Sequence, residues 1–248
     1  MNLINCKLSD FEDHHFIDNI VNKVKNDSFV ILRGLTDRVI MRNKIKIIQQ
    51  QILKSTFLSS SGVTPDQIRT NMIKWSIGGQ SAQQEGLSRF MVTCYNPMFC
   101  EDIFQMKEEF EKLIFIRDKL AGLDIIMTDD VLQKPNFNGT RLQIYPSGGG
   151  FLGGHIDSRA MDSIRDLNRP FIQLVLLVTE KGLDFQKGGA YVVNKKNEYI
   201  DTEKFGLSGD ILVYDGNTMH GVADIDSDKP FEKENMLGRC VALATIYN

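Results

Sequence analysis

Thr140-Arg-Leu-Gln-Ile-Tyr-Pro-Ser-Gly-Gly-Gly-Phe-Leu-Gly-Gly-His-Ile-Asp-Ser158 is the stretch on which the reading of this chain turns. Thr140 to Tyr145 has the composition of a strand, Pro146 cannot donate to its ladder, and the glycines that follow supply a turn. The second limb ends in His155-Ile156-Asp157. Side chains alternate across an extended segment, so one intervening residue puts the imidazole and the carboxylate on the same side. Such a pair can supply two of the three protein ligands of a mononuclear iron site, whose facial arrangement leaves the opposite positions open.

Only four histidines are available for the third ligand. His14 and His15 are neighbours near the N-terminus, where adjacent side chains on a helix point about 100° apart, and neither makes a convincing partner. His220 remains. It follows Gly209-Asp-Ile-Leu-Val-Tyr-Asp-Gly216, an apolar strand closed by a glycine turn, and sits in Met219-His-Gly-Val222. A later strand can thus carry it across a barrel to His155 and Asp157. A lone His-x-Asp is a common accident; the conjunction gives it weight. The competing explanation is a barrel whose histidines are merely hydrogen-bonded.

Outward from this stretch the chain changes character. Beyond Gly139 the strand candidates are Thr140 to Tyr145, Phe171 to Thr179, Ala190 to Asn194, Asp210 to Tyr214, Met219 to Ala223 and Arg239 to Tyr247. Many short strands with glycine punctuation and no intervening helices predict a sandwich or barrel. Before Gly139 the pattern is mainly helical, over residues 10 to 25, 38 to 54 and 101 to 120, with one early buried strand at Phe29 to Arg33. In the third helix Ile103, Met106, Phe110, Leu113 and Leu120 share one apolar face, as expected of a helix covering a sheet. With no linker or repeat, residues 1–248 read as a single domain, mainly β with flanking helices. Residues 1–139 are its mainly helical support, and residues 140–248 hold most of the barrel core.

The net charge of −3 and pI near 5.8 provide no global field for nucleic acid, so general nucleic-acid binding is not expected. Cys6, Cys94, Cys100 and Cys240 lack zinc-ribbon or disulfide spacing, and no apolar run spans a bilayer. A soluble cytoplasmic protein with no membrane partner is the expectation. The oligomeric state is not legible.

The segments around His155, Asp157 and His220 resemble the iron(II) and 2-oxoglutarate dependent oxygenases, over about residues 140 to 247 and at Phe29-Val-Ile-Leu-Arg-Gly34. Arg141-Leu-Gln-Ile-Tyr-Pro146 is similar to the strand preceding the iron pair in isopenicillin-synthase-like members, and Gly188-Gly-Ala-Tyr-Val-Val193 to a glycine pair opening a core strand. The resemblance implies a double-stranded β-helix core, the jelly roll of cupin-like barrels. It implies Fe(II) held by His155, Asp157 and His220, with 2-oxoglutarate and dioxygen as cosubstrates.

In that family the far carboxylate of 2-oxoglutarate is held by a basic residue on a late strand, a position Arg239 matches with a fork suited to a carboxylate. Alternation sets Arg239, Val241, Leu243 and Thr245 on one face, where a bound dicarboxylate would satisfy an otherwise unpaired buried guanidinium. Tyr145 and Gln143 fall where family members contact the cosubstrate. This chain departs from the family in two places: Val241 stands where a Ser or Thr is common, and the polar insertion Asp224 to Asn235 lengthens the connection to Arg239. Arg159 and Arg89 are substrate-contact candidates, with Trp75 and Asn71 weaker ones from the region that covers the pocket mouth.

The implied reaction is oxidation, by default hydroxylation, of a small organic substrate such as an amino acid or natural-product intermediate, with release of succinate and carbon dioxide. Asp157 argues against halogenation, because family halogenases replace that carboxylate with a small residue. A non-catalytic ligand-binding or interaction barrel is the alternative, as is an oxygenase acting on a macromolecule.

Overall fold

A computed structural model describes residues 2–55, 70–76, 88–124, 137–157, 170–232 and 237–247. Thirteen strands and three α-helices lie among them: β1 Leu3–Asn5, α1 His14–Asp27, β2 Phe29–Arg33, α2 Arg38–Lys54, β3 Met72–Ser76, β4 Ser88–Arg89, β5 Met91–Tyr95, α3 Lys107–Ala121, β6 Phe137–Tyr145, β7 Gly150–His155, β8 Ile172–Leu177, β9 Gly189–Val193, β10 Tyr199–Asp201, β11 Ile211–Asp215, β12 His220–Ile225 and β13 Arg239–Tyr247. The main sheet has the order β1-β2-β11-β8-β13-β6-β5-β3, and the smaller one β10-β9-β12-β7-β4. From β6 onward consecutive strands are shared between the two sheets in jelly-roll fashion, and the expected mainly β double-stranded β-helix is what forms.

Two apolar cores follow from strand alternation. On β2, Val30 and Leu32 point to the helices while Phe29 and Ile31 point between the sheets; on β13, Cys240, Ala242 and Ala244 face the helices while Val241 and Leu243 face inward. The outer core is completed by Ile20 and Val24 of α1, Ile45 and Ile48 of α2, and Phe110, Leu113 and Leu120 of α3. Each fully buried side chain of this kind contributes about 1.5–3 kcal/mol. The inner core leaves room at one end for a cavity.

Local chemistry sets the helix limits. α1 starts at His14, later than the pattern suggests, because the Asp13 carboxylate accepts from His15 N at 2.9 Å. The third helix begins at Lys107 instead of residue 101, since Asp102 caps the Met106 and Lys107 amides, each at 2.9 Å. The support region also holds more strand than its pattern predicts. β5 is buried along its whole length, so it shows no polar alternation, and β1, β4 and β10 are only two or three residues long.

Candidate active site

Strand pairing builds the site. His155 ends β7, His220 opens β12, and the two are register partners across the smaller sheet. The Asp157 amide donates to Gly216 O at 3.0 Å, which ties the residue after β7 to the turn between β11 and β12. Nε2 of His155 and Nε2 of His220 each lie 3.6 Å from Asp157 Oδ1, and the three ligand-type atoms all fall within 4.8 Å of one another.

The imidazole tautomers follow from their other nitrogens. Nδ1 of His155 lies 2.9 Å from Gly153 O, and Nδ1 of His220 lies 2.9 Å from Thr218 O. A carbonyl only accepts, so each Nδ1 carries a hydrogen, and Nε2 is the atom that each ring turns toward Asp157, where it offers a lone pair whenever the ring is neutral. The same arrangement orients metal-ligating histidines generally. Burial lowers the affinity of both rings for a proton. At His220 burial prevails and the pKa falls, whereas at His155 the hydrogen bond to Asp157 and the Gly153 carbonyl outweigh it and the pKa rises.

Two tyrosines, one against His220 and one against the glycines beside the histidines, are not singled out in the sequence. Tyr214 Oη lies 3.2 Å from His220 Nε2; burial pushes its pKa well up, so the phenol stays a donor. Tyr191 is the register partner of Gly221. A Cβ at Gly221 would lie 2.5 Å from Tyr191 Oη, and one at Gly154 would lie 3.0 Å from it. The glycine beside each histidine therefore makes way for one phenol laid across both strands. Neighbouring glycines are the only sequence signal of this arrangement.

A cavity of about 170 Å³ opens beside the triad, lined by His155, Asp157, His220, Tyr214, Tyr145 and Arg239 among others. Gln143, Val241, Leu243 and Thr245 line it too, in keeping with the expected inward face of β13. Tyr145 and Arg239 are register partners. The Arg239 carbon Cζ stands 5.5 Å from the Tyr145 ring; burial pushes the phenol up to about 12, against the pull of Arg239 and Arg141. Its hydroxyl donates to Gln143 Oε1 at 3.2 Å.

One expectation is corrected here. Arg239 is not an unpaired guanidinium waiting for a dicarboxylate, because its Nε donates to Glu203 Oε1 at 2.5 Å, and both residues are buried. Glu203 lies in the 3₁₀ turn Thr202–Lys204 after β10, and its Oε1 also accepts from Ala190 N at 3.1 Å. Nε is thereby committed, and the guanidinium's remaining donors are its Nη groups.

The substrate-contact candidates are scattered. Arg89 pairs with Phe151 at the edge of the smaller sheet, and Arg159 lies outside the described residues. Trp75 is packed with Phe90 and Phe231 of the insertion, at centroid distances of 5.7 and 5.5 Å, and Asn71 donates to Glu101 O at 2.9 Å. Neither of these two is among the cavity-lining residues. No helix among the described residues is long and apolar enough to cross a membrane, and all four cysteines are free thiols.

The sequence matches no known family model and no curated protein. Solved structures do share the fold. A full-length protein of Neurospora crassa, in complex with alpha-KG, superposes with a TM-score of 0.57 at 13% identity, over 98% of this chain and 84% of that one. A prolyl-4-hydroxylase of Pseudomonas putida gives 0.55 at 12% identity, over 94% and 98%. A Trichoplax adhaerens prolyl hydroxylase, in complex with a hypoxia inducible factor peptide fragment, gives 0.54 at 13% identity, over 97% and 91%. The chain has the fold of the 2OG-Fe(II) oxygenases.

Proposed function

We propose that this protein is an iron(II) and 2-oxoglutarate dependent dioxygenase that oxidises a small organic substrate, by default through hydroxylation, with release of succinate and carbon dioxide. Residues 1–248 act as one oxygenase domain on this reading. The observation that carries it is the convergence of His155 Nε2, His220 Nε2 and Asp157 Oδ1 on one wall of a cavity that also holds a buried arginine. Two imidazoles that can each offer Nε2 and one carboxylate are the donor set that suits Fe(II) in this class of site.

His155, Asp157 and His220 would hold the ion. Iron supplies the activation of dioxygen and the oxidising power when bound. The remaining work belongs to the protein. Arg239 presents its Nη groups to the far carboxylate of 2-oxoglutarate, and Glu203 fixes the plane of that fork through Nε. Tyr145 is a protonated phenol and Gln143 its neighbour, so both can turn polar hydrogens to the same carboxylate. Val175, Val192 and Leu212 line the cavity and exclude water from it.

Anaerobic addition of Fe(II) and 2-oxoglutarate should produce a weak visible charge-transfer band, and admission of air should produce succinate. Both signals should vanish in His155→Ala and His220→Ala. Absence of the band and of turnover in the wild-type protein would refute the proposal.

A further inference from the structure

The cavity contains a second guanidinium that the proposed reaction does not use. Arg141 lines the same space as the triad, and its Nη1 donates to Thr245 Oγ1 at 2.8 Å and Gly139 O at 3.1 Å. Gly139 and Thr245 are register partners, as are Tyr145 and Arg239 farther along the same β6–β13 ladder. Arg141 and Tyr145 are four positions apart on β6, about 13 Å at the strand rise of about 3.3 Å per residue. The bonds of Arg141 pull its guanidinium farther still from Arg239, toward the Gly139–Thr245 end.

That end is the one nearer the histidines. β8 runs antiparallel to β13 with Val241 opposite Leu177, so Thr245 lies toward Gln173. Gln173 is the register partner of Tyr214, whose hydroxyl meets His220. Arg239, Tyr145 and Glu203 thus occupy one end of the cavity, whereas Arg141, Thr245, Gln173 and Tyr214 occupy the other. A dicarboxylate reaching from the triad to Arg239 leaves the Arg141 end to the second reactant.

We infer that Arg141, with Thr245 and Gln173, is the prime-substrate subsite, and that the substrate is a small amino-acid-like zwitterion whose carboxylate lies on Arg141. This rests on the proposed function. A planar guanidinium held by Thr245 is preorganised for bidentate carboxylate binding. Beside that carboxylate, the side-chain oxygens of Gln173 and Thr245 line the same cavity and are acceptors for an ammonium group.

The test uses the full chain, the proteinogenic L-amino acids and their α-amides, with succinate formation as one readout and anaerobic titration of the Fe(II) protein with 2-oxoglutarate as the other. At least one free amino acid should stimulate succinate formation, and its amide much less. Arg141→Leu should raise KM for that amino acid about 10- to 100-fold, the loss of a charge-assisted hydrogen bond, while leaving 2-oxoglutarate affinity within about twofold of wild type. Thr245→Val, a milder change that only loosens Arg141, should raise the same KM less.

If Arg141→Leu weakens 2-oxoglutarate binding as Arg239→Leu does, Arg141 belongs to the cosubstrate and the inference is overturned. Equal response to acid and amide, or no response to any amino acid by a protein that binds 2-oxoglutarate, overturns it too. Lack of 2-oxoglutarate binding by the wild-type protein is separable, since it removes the proposed function first.

Discussion

Replacing Glu203 tests the buried pair on which the far end of the cavity depends. Arg239 is 3% exposed and Glu203 4%, and Glu203 Oε1 accepts from both Arg239 Nε and Ala190 N. Removing one partner of a buried ion pair costs about 3–5 kcal/mol, because the other charge is left uncompensated. Glu203→Ala should therefore lower Tm by about 6–20 °C, at about 2–4 °C per kcal/mol for a chain of this size. Glu203→Gln keeps an acceptor and should cost less. The informative readout is thermal unfolding with Mn(II), with and without 2-oxoglutarate. A dianion that pairs with the bare guanidinium should protect both variants more than wild type. The companion change, Glu203→Leu with Arg239→Met, should restore most of the stability and abolish that protection. A loss under about 1 kcal/mol in Glu203→Ala, or equal protection of variant and wild type, would show that Arg239 does not depend on Glu203 and does not face the cosubstrate.

Other perturbations probe different levels of the structure. Gly221→Ala places a Cβ 2.5 Å from Tyr191 Oη and 2.9 Å from Leu152 O; it should cost about 1–3 kcal/mol by overpacking, and Tyr191→Phe in the same chain should recover part of that in a urea-unfolding cycle. Tyr214→Phe removes a donor that occupies the His220 Nε2 lone pair, so Mn(II) should bind about 2- to 10-fold more tightly by titration calorimetry, the worth of one hydrogen bond. Burial alone would raise the pKa of Asp226, but Lys229 and the amides of Lys187 and Gln186 outweigh it and hold the group down at about 2. Its folded pKa is thus depressed, and its contribution of about 2 kcal/mol is present above about pH 4 and lost as pH falls through about 2. Asp226→Asn should be less stable than wild type near neutral pH, with the gap closing in acid.

What the sequence discloses about this site depends on chain distance. His155 and Asp157 are legible because one intervening residue fixes their common face, and His220 because the other histidines are an adjacent pair near the N-terminus. The inward side of β13 follows from alternation alone, which is why Arg239, Val241, Leu243 and Thr245 are expected together and do line one cavity. Glu203 is not legible. It meets Arg239 only because a 3₁₀ turn after β10 folds beneath β9, and nothing near either residue encodes that approach. Tyr214 reaches His220, and Tyr191 the glycines beside both histidines, through strand register, and Arg141 reads as an ordinary strand residue until its ladder partner is known. β5 escapes a reading of the sequence because a strand without a solvated face loses the period-two signal.

The placement of β13 has a consequence for how the molecule comes into being. It is the last of the described strands in chain order, yet it lies inside the main sheet between β6 and β8. A growing polypeptide has all three candidate metal ligands before it has this strand, and until then two apolar edges stand open side by side. Open edges of that kind recruit strands from other chains. Insertion of residues 239–247 closes the gap and brings Arg239 to the cavity in the same event. A partly synthesised chain therefore carries the three candidate metal ligands without Arg239 beside them, and the cavity is completed together with protection from aggregation.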